Sequence, residues 1–194
     1  MAVKSLKRST IESPAQNDNF ASAGYSFQDF HHLETIQLSS NASSVSFINL
    51  DKYAGEYRHL QLRSVARMTY GDAERSLNIR LNSDSGANYY NHGLYGQNTT
   101  VGSFGFSQTE GFIGSYSAGN AASGAYGAGI TDILDAFSST KNKVIKSLAG
   151  AATTPQVSIR SVLWSNTSPI TSITLLETTS VLVSGSRFSL YGIK

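Results

Sequence analysis

The chain has 194 residues, a formal net charge of +2, only 14% charged residues and no cysteine. That balance excludes a disulfide framework and a thiolate metal site, and it gives no basic footprint for nucleic acid, since only Lys4, Lys7 and Arg8 cluster and read as a solvated tail. No apolar run of about 18 residues is present, and the basic start has no apolar h-region behind it, so neither membrane insertion nor secretion is expected.

Seventeen glycines, ten tyrosines and nine phenylalanines among many Ser, Thr and Asn suit twisted strands and tight turns. Residues 1–32 are polar, aperiodic and punctuated by Pro14, and their aromatic residues Phe20, Tyr25, Phe27 and Phe30 come late. Free tails normally lack such rings, so this segment is read as an extended docking arm, the alternative being a flexible N-terminus with incidental aromatics. Residues 33–194 are read as one β domain.

Strand patterns recur through that domain. Leu33 to Leu38 and Val45 to Leu50 flank a polar loop, Ser39 to Ser44, that reads as a hairpin connection. A turn or helical loop spans Asp51 to Tyr57. In His59 to Met68, Leu60, Leu62, Ala66 and Met68 share one face, and His59, Gln61, Arg63 and Arg67 the other. After a turn at Gly71 and Asp72, Leu77, Ile79 and Leu81 alternate with an outward Arg80. Asn82 to Asn88 is a turn-rich loop and Tyr89 to Gly96 a compact aromatic stretch. Strands are expected near Gly102 to Gln108 and Tyr126 to Phe137, with a mobile or partner-contacting segment between them. Lys143 to Leu148, Gln156 to Trp164, Ile170 to Glu177 and Arg187 to Ile193 complete nine or ten short strands. In the last of these Phe188 and Leu190 point one way and Arg187, Ser189 and Tyr191 the other. The pattern predicts an all-β fold, a jelly-roll-like antiparallel β-sandwich preceded by an extended N-terminal arm.

Catalytic or metal chemistry has no address in this pattern. His31, His32, His59 and His92 have no ligand spacing with carboxylates such as Asp29 or Asp84. Asn82 to Gly86 has one carboxylate and no distal glutamate, which makes it an Asx-type turn rather than a calcium loop. No G-x-S-x-G elbow surrounds a serine, and the glycines at Gly102, Gly105, Gly111 and Gly114 do not form a phosphate loop. A non-enzymatic protein without metal or cofactor is the expectation. The residues singled out are Arg63, Arg67, Arg80 and Arg160, read as an outward row on polar strand faces, with Asp132 and Asp135 on a later strand. Like charges on adjacent strands repel, so carboxylates or a partner surface should offset such a row; the other reading is a set of solvated charges along an exposed sheet face. Trp164 is a core plug or an interface anchor.

Several segments taken in order carry a resemblance: Tyr57 to Arg63, Ile79 to Tyr89, Leu94 to Gly96, Ile133 to Asp135, Trp164 to Thr167, Ile170 to Leu175 and Phe188 to Ile193. Together they resemble a domain common in virion structural proteins of marine tailed bacteriophages, including cyanophages. The resemblance implies a place in the virion, assembled in the host cytoplasm, with the major capsid protein or other virion proteins as partners. The short arm and the lack of a fibre shaft favour a capsid decoration or cement protein, self-associating as a trimer. The alternative is a tail-associated or receptor-binding module that reads a host surface glycan through the Gly/Tyr-rich stretch Tyr89 to Tyr126.

Overall fold

The protein, seen in a computed structural model, is described over residues 30–151 and 155–194. Among the described residues twelve strands form two antiparallel sheets: β1 (Phe30–Gln37), β2 (Ser44–Phe47), β3 (His59–Ala66), β4 (Glu74–Leu81), β5 (Tyr89–Gln97), β6 (Thr100–Gln108), β7 (Gly111–Ser117), β8 (Gly127–Leu134), β9 (Lys143–Ala151), β10 (Gln156–Trp164), β11 (Ile173–Leu176) and β12 (Arg187–Ile193). The large sheet has the order β1-β12-β3-β8-β9-β10-β5-β6, and the small one β2-β11-β4-β7. Without the hairpins β5-β6 and β9-β10, the remaining eight strands stand as β1-β12-β3-β8 against β2-β11-β4-β7. This is the doubly wound pairing of a jelly roll, so the expected fold is present, widened on one side by four strands.

Alternation fixes which side chains enter the core. Leu60 and Leu62 of β3, Leu77, Ile79 and Leu81 of β4, Ile173 and Leu175 of β11, and Phe188 and Leu190 of β12 are buried between the sheets. Each contributes about 1.5–3 kcal/mol by leaving water. Trp164 is fully buried and stacks on Tyr89 at 6.4 Å between ring centroids, which makes it the core plug. The Tyr89 hydroxyl accepts the Leu81 amide hydrogen at 2.8 Å and so ties the large sheet to the small one. The C-terminal strand β12 is hydrogen-bonded on both sides, to β1 and to β3.

Four expectations are corrected. Residues 39–44 do not close a hairpin, because β1 and β2 belong to different sheets and the loop crosses the edge of the sandwich. The stretch from Tyr89 is strand β5, nine residues long. The segment between β6 and β8, expected to be mobile or partner-contacting, contains β7, whose residues are nearly all buried, so this part of it is not a mobile loop. Phe30, His31 and His32, ascribed to the arm, pair with Ile193, Gly192 and Tyr191 of β12. Phe20, Tyr25 and Phe27 lie outside the described residues.

Candidate interaction surface

The sheet order parts the four arginines. Arg63 points outward from β3, and its guanidinium lies 5.1 Å from the Phe30 ring centroid and 5.0 Å from that of Tyr191. Those two rings stack on each other at 4.7 Å, and His32 meets Tyr191 edge-on. Phe30 and Arg63 are therefore brought together, through a cation–π contact that holds the start of β1 on the sheet.

Arg67 lies just beyond β3 and turns into a loop rather than onto a strand face. Its guanidinium donates to the carbonyl oxygens of Gly119, Ala121, Ala122 and Ala125 at 2.6–3.2 Å, which pins the chain between β7 and β8. Arg80 is on the small sheet and pairs with Glu110 at 3.0 Å. Arg160 reverses the expectation altogether. It shares the inward face of β10 with Val162 and Trp164, is 5% exposed, and donates to the Ser115 hydroxyl at 2.9 Å. Burial pushes its guanidinium down to about 10, against the opposing influence of Tyr116 and Glu74. No single row exists.

A different row occupies the outer face of the large sheet. In the strand register Arg63, Ile130, Leu148, Ile159 and Leu94 are successive cross-strand neighbours on β3, β8, β9, β10 and β5. Two residues along the strands lies a second row, Val65, Ala128, Gly150, Val157, Gly96 and Val101. Ile130, Leu148, Ile159, Leu94, Val157 and Val101 are 44–83% exposed. Between the two rows the small residues Ala128 and Gly150 leave a hollow of about 500 Å³, walled by Ile130, Leu148, Val157 and Tyr191 and closed at one end by Arg63 and Arg187.

On the other side the apolar rows meet a polar one, in which Gln61 donates to Asp132 at 2.8 Å and Asp132 stands opposite Lys146. An apolar patch that spans five strands and is rimmed by polar residues is the signature of a contact surface. Among the described residues no group of three histidine, aspartate or glutamate side chains converges as a metal would require.

This face was missed because the outward sides of the strands were read as polar. The signal lies in β10, where Val157, Ile159 and Leu163 alternate with Val162 and Trp164 on the opposite side. No protein family, curated protein or solved structure matches this chain.

Proposed function

We propose that the protein is a non-enzymatic bacteriophage virion structural protein, a capsid decoration or cement subunit that self-associates and joins the shell. The apolar outer face of the large sheet carries this reading. Strands about 4.8 Å apart with about 3.3 Å per residue give the two apolar rows over five strands an area on the order of 300 Å², within a sheet face of on the order of 1,000 Å². A standard interface takes about 800 Å² from each partner, so the apolar rows would form the centre of a contact with a second copy and the polar rows beside them its rim. Jelly rolls serve both shells and lectins, so the fold alone supports neither over the other. Sister subunits arranged as a trimer would cover the exposed Leu148, Ile159 and Leu94, and the aromatic residues Phe20, Tyr25 and Phe27 would anchor the assembly to the major capsid protein. Several weak anchors held on one oligomer bind far more tightly than any single one.

Sedimentation of the full chain is expected to give a trimer, and Ile159→Asp to give a folded monomer with an unchanged far-ultraviolet spectrum. A wild-type monomer at all concentrations would remove the assembly role. Copy number in purified particles separates decoration, with hundreds of copies, from the alternative of a tail-associated module with few.

A further inference from the structure

At the opposite edge of the sandwich β7 lies over β9 and β10, and the β5–β6 hairpin runs on past it. This leaves a cavity of about 640 Å³ between the start of β4, the β6–β7 turn and the end of β11. Its charged groups are already engaged. Glu110 pairs with Arg80 at 3.0 Å and accepts from the Thr109 hydroxyl at 2.6 Å. Glu177 pairs with Arg75 at 3.4 Å and accepts from Thr179, while Glu74 accepts from the amides of Gln97 and Gln156.

What is unsatisfied at the cavity is neutral or set behind its wall. Asn78 lines it, is only 3% exposed, and its Oδ1 has no hydrogen-bond partner. Arg80 Nε, Gln156 Oε1 and two guanidinium nitrogens of Arg160 are likewise unpartnered, and each of these residues bonds directly to a residue of the wall. Buried polar groups are paired as a rule, so the unpaired Asn78 oxygen in the cavity lining calls for a donor, whereas the groups behind the wall are out of a ligand's reach. Phe112 adds an aromatic surface held edge-on by Phe106 at 5.0 Å.

We infer that this cleft binds a neutral glycan. A sugar hydroxyl donates to the Asn78 oxygen and accepts from an amide such as Gln108, and the C–H face of a pyranose covers Phe112. An anionic sugar would meet the carboxylates of Asp72, Glu74, Glu110 and Glu177, and an apolar ligand would leave Asn78 unpaired. Gln108, Glu110, Phe112 and Ser115 belong to the Gly/Tyr-rich stretch for which glycan contact was expected, whereas its Tyr89 and Tyr116 are core residues. The site shares no residue with the outer face and does not depend on assembly.

The test is a proton–nitrogen NMR titration of the full chain with galactose, glucose, mannose and N-acetylglucosamine, each taken into the tens of millimolar. At least one sugar is expected to shift the Asn78 side-chain amide and the backbone around Phe112 saturably. Affinity should fall at least tenfold in Phe112→Ala and in the exposed Gln108→Ala, whose fold is not at risk. Ile159→Asp, which disrupts the outer face, should bind as the wild type does. No saturable shift with any of the four sugars, binding of glucuronate in their place, or unchanged affinity in both cleft variants would each overturn the assignment.

Discussion

Asp84 shows how one carboxylate organises a loop that composition marked only as a turn. Its Oδ1 accepts the Gly86 amide hydrogen at 2.8 Å, the Asx turn expected there, and its Oδ2 accepts from the Trp164 indole at 2.7 Å and the Asn88 amide at 2.9 Å. Burial alone would raise this carboxyl. The bonds from Trp164, Asn88 and Gly86 outweigh burial and hold it below the usual carboxylate range. A carboxyl depressed on folding stabilises the fold above its unfolded value and ceases to do so as pH falls through the folded one. Melting temperature should therefore drop as pH falls below about 4 in the wild type, and Asp84→Asn should flatten that drop while costing about 1–2 kcal/mol at neutral pH. A drop equally steep in the variant would show that the acid sensitivity lies elsewhere.

Arg160 is the converse case. Its desolvation is offset by the Ser115 hydroxyl, by the Phe104 ring at 5.2 Å and by the electrostatic influence of Tyr116 and Glu74, which together do not make up for burial. Arg160→Met should be between neutral and about 2 kcal/mol stabilising in urea denaturation, because an apolar chain of similar length removes a buried charge. The sequence placed this arginine outward since charged residues rarely face a core.

Among the elements, β10 and β12 were legible to the residue, whereas β7 was not legible at all. The register of β4 on β7 shifts between Leu77 and Asn78, and the bulge puts Ile113 and Tyr116 in the core although they are three positions apart. Period two fails there for a physical reason. Gly114 stands where a Cβ would collide with the Ala149 side chain of β9, so the two sheets approach closely at this point. Gly114→Val should lower stability by about 1–3 kcal/mol in denaturant titration by pushing β7 off β9.

The loop between β7 and β8 is held in a different way, by the single guanidinium of Arg67 on four carbonyl oxygens. In hydrogen exchange, Arg67→Lys should expose residues 118–126 nearly as much as Arg67→Ala, since an ammonium cannot span the four acceptors. Full protection in the lysine variant would count against a planar clamp. The loop before β2 was misread because a hairpin turn and a crossing between sheets have the same polar composition.

For the whole molecule, the jelly-roll winding makes the two ends of the chain depend on each other. β12 fills the gap between β1 and β3, so the large sheet is continuous only once the last residues have arrived. Removing residues 187–194 should leave an insoluble product, and folding of the intact chain should be slow, in milliseconds to seconds by stopped flow, as pairing so distant in sequence demands. The sequence by itself determined the class and the inward face of β3, β4 and β12, because alternation tells which side chains lie together and one set was clearly apolar. Which strands pair, which way Arg160 points, and that Ile130, Leu148, Ile159 and Leu94 align as one uncovered row were decided only by the tertiary structure. Period-two patterning groups residues by face but says nothing of what each face will meet, since that depends on neighbours brought from far along the chain.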